Sequence, residues 1–168
     1  LGYTGELGFE IVASSKDGRQ LWRSLIKYVK PAGFVAANCL RIEAGFILFA
    51  NEFKLPVTAE EAGLKAFSDN DLTHPRYRLV SFRAKKFGSQ SICSNIYDVV
   101  APVSGSISIT SACHSNIAKG ILGLGYVLFD EAIIGTYFID PTGQYKDIQI
   151  VHNPFYDTKK IRPRVILL

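Results

Sequence analysis

At 168 residues, 48% of them apolar, the chain has ample material for a packed core and can form one domain or two small ones. Its formal net charge of +4 is modest, and its basic residues are scattered apart from pairs such as Lys85-Lys86 and Lys159-Lys160, too diffuse for a nucleic-acid surface. No apolar run reaches membrane-spanning length, since Ile117 to Phe129 is broken by Lys119 and several glycines, and Leu1 does not open a signal peptide. Cys39, Cys93 and Cys113 are far apart and show no CxxC spacing. Neither a disulfide framework nor a zinc site is expected, and buried thiols in a reducing, cytoplasm-like compartment fit best.

The first stretch, Leu1 to Glu10, places Gly2, Gly5 and Gly8 around Tyr3 and Glu6. Such a backbone can follow a tight path beside a polar ligand. A glycine-rich turn running straight into a strand normally follows other structure, so the start of the fold is expected to lie outside this sequence. Gly8 to Ala13 alternates as a strand, with Phe9 and Ile11 on one face and Glu10 and Val12 on the other. Ser14 to Asp17 carries helix-start chemistry, and Leu21, Trp22, Leu25, Ile26 and Val29 recur at the spacing of one helix face, which makes Trp22 a core residue. That helix is expected to end before Pro31. Phe34 to Gly45 reads as a short helix closed by Gly45. Arg41 and Glu43 are two apart on it, so they point to different sides and anchor different neighbours. Beyond the apolar run Phe46 to Phe49, Pro56 to Leu64 reads as a loop entering a helical turn capped by Thr58.

The polar stretch Ser68 to Arg76 is the best domain boundary. It separates residues 1–70, an α+β region, from residues 77–156, which read as short strands: Arg78 to Ala84, Asn95 to Val99, Gly105 to Ser111, Ile121 to Phe129, Thr136 to Ile139 and Lys146 to His152. Several such strands predict a small antiparallel β-barrel or sandwich. Residues 157–168 form a tail.

Taken together, the motifs are more specific than any one of them. Gly2-Tyr3-Thr4-Gly5-Glu6, Gly8-Phe9-Glu10, Arg41-Ile42-Glu43-Ala44-Gly45 and Glu61-Ala62-Gly63-Leu64 are followed by Gly105 to Ser111, Gly123 to Val127 and Asn153-Pro154-Phe155-Tyr156. In this order the sequence resembles the C-terminal half of the glycine-cleavage T-protein (aminomethyltransferase) family. The resemblance implies a partial folate-binding α+β region followed by a C-terminal β-barrel, within a protein of roughly twice this length built around a tetrahydrofolate cavity. It also implies that the catalytic aspartate lies in the half not represented here, so the segment alone is expected to be inactive.

Carried over residue by residue, the resemblance puts Glu10 where the family uses a carboxylate to grip the pterin, which can receive two parallel hydrogen bonds from the pterin edge. Tyr3 and Glu6 flank that grip, Glu6 chiefly shaping the turn, while Arg41 and Glu43 are implied to be structural. The family's folate-contacting arginine falls on Ala37, and the aspartate after it on Asn38. An alanine cannot serve as an anion partner. No metal ligands are implied. The implied chemistry is transfer of an aminomethyl group from the lipoyl arm of an H-protein partner to tetrahydrofolate, with release of ammonia, in the cytoplasm of a bacterium or the mitochondrial matrix of a eukaryote. Two alternatives share the motifs: a folate-dependent demethylase or folate domain of a dimethylglycine or sarcosine oxidase, and a non-enzymatic scaffold of the kind linked to iron-sulfur assembly. Against the latter, neither Cys39 nor its surroundings forms the cysteine motif of that branch.

Overall fold

Residues Tyr77–Lys86 form β1, a strand packed on both sides. Val80, Phe82 and Ala84 enter one apolar cluster, while Leu79 enters another. The computed structural model describes residues 2–69, 74–86 and 99–162. Around β1 stand β2 (Ser108–Ser115), β3 (Gly120–Leu128), β4 (Tyr137–Phe138) and β5 (Tyr145–Val151), in the order β2-β3-β1-β5-β4, with every named pair antiparallel. The predicted Asn95 to Val99 strand lies almost entirely outside the described residues, and Val99 itself is in no strand.

The expected closed barrel is not formed: the described strands make an open five-stranded sheet. Its inner face packs on itself, bringing Ile109 and Ala112 of β2 into one cluster with Phe138 of β4 and Ile148 of β5. Among the described residues the backbone pairing between the two flanks is the isolated Ser106–Ile139 bridge, where Ile107 N donates to Ile139 O at 3.1 Å and Ile139 N to Gly105 O at 3.0 Å. Closure needs a ladder along both edge strands, and β4 offers two residues.

Among the described residues three α-helices precede the sheet: α1 (Ser15–Leu25), α2 (Phe34–Glu43) and α3 (Phe49–Glu52). Ser14 caps α1, its Oγ accepting from Asp17 N at 3.3 Å and donating to the Asp17 carboxylate at 2.7 Å. The helix ends at Leu25, before Pro31 as expected, and none of its residues is buried, with Trp22 55% exposed and Val29 in the turn after it 58% exposed. Trp22 is therefore not a core residue. The predicted Gly8 to Ala13 strand is likewise absent, because no described segment lies alongside to take its backbone hydrogen bonds, and Phe9 is 91% exposed.

Helices α2 and α3 cover the outer face of the sheet. What pins them is polar. Arg41 and Glu52, both fully buried, pair at 3.0 Å. Arg41 also donates to Asn38 Oδ1 at 2.9 Å, Phe46 O at 3.1 Å and Ser111 Oγ at 2.6 Å. Glu52 accepts from Leu48 N at 2.5 Å, from Thr110 Oγ1 at 2.9 Å and from Ser111 Oγ. Consecutive strand residues normally point to opposite faces, yet Thr110 and Ser111 both reach Glu52. The pairing of β2 with β3 shifts between Ile109 and Ser111, a bulge that turns Ser111, Cys113 and Ser115 toward the helices.

Glu61 performs a similar service for the entry to β1. Thr58 and Glu61 cap reciprocally, Thr58 N donating to Glu61 at 2.9 Å and Glu61 N to Thr58 Oγ1 at 3.3 Å. The same carboxylate receives Arg76 N at 2.7 Å and Tyr77 N at 3.2 Å. Burial alone would raise its pKa, but these amides and the Arg76 guanidinium hold it below the ordinary carboxylate value.

Two outcomes follow for stability. Arg41→Ala leaves the Glu52 carboxylate buried without its cation, and is expected to lower unfolding free energy by about 3–5 kcal/mol in urea titrations; a loss below about 1 kcal/mol would place the pair among those of little worth. For Glu61, folded pKa lies below the unfolded value of about 4.3. Its stabilisation is complete above that value and is lost as pH falls through the folded pKa. Glu61→Gln should therefore flatten the acid limb of a stability profile, and an unchanged limb would show that other carboxylates set it.

Candidate functional site

Three of the motifs, distant in sequence, meet at the C-terminal end of α2. The helix closes with Gly45 N donating to Ile42 O at 3.0 Å and Phe46 N to Arg41 O at 2.8 Å, a Schellman ending with Gly45 at φ +71°. A side chain on Gly45 would overlap the Asn153 carboxamide. On the neighbouring side Gly5, at φ +74°, sits so close to Ala44 that a Cβ would collide with the Ala44 methyl. Tyr156 N donates to Glu43 O at 3.0 Å. The first turn, the helix end and the Asn153 to Tyr156 segment are thus interlocked through two positions where only hydrogen fits.

A ring of aromatic and charged groups surrounds this junction. Tyr3 donates its phenol to Ile47 O at 3.0 Å and stacks on Phe46 with centroids 6.3 Å apart. Partial burial raises the Tyr3 pKa above its ordinary value, so at neutral pH it is a hydrogen-bond donor. Lys160 Nζ lies 4.5 Å above the Phe46 ring, and Arg162 sits 4.9 Å over Tyr156 while reaching Glu6 at 3.4 Å. The Tyr156 phenol is raised by desolvation and by the Glu6 carboxylate. Gly5, Ala44, Phe46, Tyr156, Asp157 and Lys160 line a small hollow between them.

The structure gives the acids of the first stretch different settings. Glu6 is held by Arg162. Glu10 is exposed and makes no hydrogen bond to any described residue, standing beyond the junction on the same extended segment as Phe9, Ile11 and Val12. Arg41 and Glu43 do not anchor wholly different elements as expected: both bond to β2, Arg41 to Ser111 and Glu43 to the Ser115 hydroxyl, which donates at 2.6 Å, and Arg41 alone also reaches Glu52 of α3. Ala37 is half-buried on α2, and Asn38 is buried with its carboxamide engaged by Arg41.

Residues 1–71 match the sequence profile of the GCVT N-terminal domain. An aminomethyltransferase of Aquifex aeolicus is 47% identical over 68 residues, 40% of this chain and 19% of that protein. Over almost the whole chain, an aminomethyltransferase of Prochlorococcus marinus is 31% identical, covering 92% of this chain and 45% of the relative. A Synechococcus aminomethyltransferase is 29% identical with 92% and 46% covered. The chain belongs to the glycine-cleavage T-protein family. The crystal structure of glycine cleavage system aminomethyltransferase T from Bartonella henselae superposes with a TM-score of 0.70 at 22% identity, over 94% of this chain and 48% of that one, which shows a shared mixed α/β fold. The chain therefore spans about half the length of the curated relatives it matches end to end. Neither the demethylase and oxidase reading nor the scaffold reading is favoured by these relatives, which are named aminomethyltransferases.

T-protein motifs explain why the junction is conspicuous in sequence, but some of its parts carry no sequence signal. Arg162 lies in the tail, and nothing in its spacing points back to Glu6; Lys160, near which the family resemblance places a tyrosine that helps close the folate site, instead sits over Phe46. Thr110 and Ser111 fall in the Gly105 to Ser111 motif, but nothing there marks them as partners of Glu52. The adjacent polar pair Asn51-Glu52 after the apolar run Phe46 to Phe49 was the available signal. A wider groove of about 680 Å³ opens on the sheet, lined in part by Arg83, Lys85, His114 and Tyr137, but it contains none of Tyr3, Glu6 and Glu10, and Lys85 there is paired with Asp147 at 2.9 Å. Among the described residues no cluster of ligands suits a metal, and no helix is long and apolar enough to cross a membrane.

The junction makes its own prediction. Gly5→Ala should detach the first turn from α2, at a cost of about 1–3 kcal/mol for the overpacked contact. Hydrogen exchange is expected to accelerate at Glu6 and Leu7 while β3 keeps its protection; equal protection in both segments would contradict the close packing at Ala44.

Proposed function

We propose that the chain supplies one wall of a tetrahydrofolate site in an aminomethyl-transferring protein, and that Glu10 is its ligand-gripping residue. The observation that carries this reading is the contrast between the acids. Glu6 is consumed by Arg162, whereas the Glu10 carboxylate is open and unpaired among the described residues, on a segment anchored by the Gly5 junction. A pterin presents an amino group and a ring N–H side by side, and a free carboxylate is the side chain that accepts both. Tyr3 and Glu6 border the ligand by shaping the turn that carries Glu10.

The exposed apolar residues support the remainder of the proposal. Phe9, Ile11 and Val12 on the extended segment, with Trp22 on α1 and Ile26 and Val29 just after it, are apolar and open to solvent, a surface suited to a further folate-binding domain. That domain would supply the other walls and the catalytic aspartate, in the proportion by which the relatives exceed this chain. The reaction is aminomethyl transfer from the lipoyl arm of an H-protein to tetrahydrofolate, and this chain's part is orientation and exclusion of water rather than covalent chemistry. Ala37 removes one cationic contact, so the glutamate tail of folate is held less tightly than in relatives with arginine there.

The test is calorimetric titration of tetrahydrofolate into the protein that carries this chain. Glu10→Ala is expected to weaken binding roughly 10- to 100-fold, the worth of a charge-assisted hydrogen-bonded pair. Absence of binding by the unmodified protein at millimolar ligand would refute the folate site, and equal affinity of the variant would refute Glu10's role in it.

A further inference from the structure

The bulge in β2 that delivers Ser111 to the buried ion pair also delivers Cys113 to the underside of α2. There it is 8% exposed, clustered with Ile42, Ala118 and Leu122, and Cys39 of α2 packs against the same cluster. The Cys39 thiol donates to His114 O, the carbonyl next along from Cys113, at 3.4 Å, and lies 3.7 Å from Glu43 Oε1, so the two thiols share one packed cluster between helix and strand. Neither is oxidised: both are free thiols. We infer that Cys39 and Cys113 are a peroxide-reactive dithiol whose disulfide staples helix α2 to strand β2.

The two sulfurs are unequal in a way that orders the reaction. Cys39 is half-buried and so is the one an oxidant reaches. The neighbouring Cys113 thiol lowers its pKa, against burial and the Glu43 carboxylate, while Cys39 and burial push that of Cys113 far up. Cys39 is the attacking thiolate and Cys113 the proton-bearing partner. In the first step the Cys39 sulfur attacks one oxygen of hydrogen peroxide, the O–O bond breaks, and the departing hydroxide takes a proton to leave as water, giving Cys39 sulfenic acid. In the second the Cys113 sulfur attacks the Cys39 sulfur, the S–O bond breaks, and the Cys113 proton departs with the hydroxyl as a second water. Two thiols are oxidised to one disulfide and one peroxide is reduced to two waters.

The link would span the helix that carries Arg41 and Glu43 and the strand that carries their partners Ser111 and Ser115, so its closure bears on the cap of the sheet and requires nothing of the folate reading. The experiment uses the chain with Cys93→Ser, which removes the one other thiol. After hydrogen peroxide, alkylation under denaturing but non-reducing conditions and proteolysis, mass spectrometry is expected to find a Cys39–Cys113 linked peptide that dithiothreitol abolishes, together with a higher melting temperature than the reduced protein. With Cys113→Ser added, Cys39 should stop at sulfenic acid and be trapped by dimedone. Should both thiols stay fully alkylatable after peroxide, or should Cys39 pass to sulfinic acid with no linked peptide while Cys113 is intact, the inference is overturned.

Discussion

The architecture depends on one buried ion pair. Arg41 and Glu52 come from different helices, and both lose all contact with water. Removing a guanidinium and a carboxylate from water costs several kcal/mol each, which their mutual attraction offsets only if the remaining donors and acceptors also find partners. Here they do: Asn38, Phe46 O and Ser111 serve the arginine, while Leu48 N, Thr110 and Ser111 serve the glutamate. Such a network is intolerant of displacement in a way apolar packing is not. It sets how α2, α3 and β2 lie together, and the ends of α2 and β2 inherit their positions from it.

That placement is what brings the functional junction into being. The Schellman ending of α2 follows directly from Arg41, whose backbone carbonyl receives Phe46 N. Ala44 and Gly45 are then presented at a fixed height above the sheet, where Gly5 packs on one side and Asn153 on the other. Glu10 stands beyond Gly5 on a segment with no sheet partner among the described residues. The chain thus combines a rigid anchor with an exposed extension, the division of labour expected where variable groups are borne on loops over a fixed scaffold.

Much of this was readable in sequence, and the failures have physical reasons. Helix α2 and its end at Gly45 were legible because capping is local: glycine is needed wherever the chain turns left-handed at a helix end. Five of the predicted strands occur, with shifted ends, because alternation is also local. The barrel was not decided by strand count, since closure depends on pairing between edges far apart in sequence, and β4 proved too short. Gly8 to Ala13 has the alternation of a strand and Trp22 the spacing of a core residue. Periodicity records which face is apolar, however, and burial requires something to cover it.

By itself the sequence determined the family, through ordered motifs whose spacing survives at low identity, and it determined the local elements those motifs close. Only the tertiary structure decided what the motif residues touch. A single bulge after Ile109 reverses the facing of Ser111, Cys113 and Ser115, and with it creates the seat for Glu52, the cluster against which Cys39 packs and the anchor of Glu43. Because strand facing has a period of two, one inserted residue exchanges the two faces of everything after it. No composition or periodicity marks such an insertion in advance.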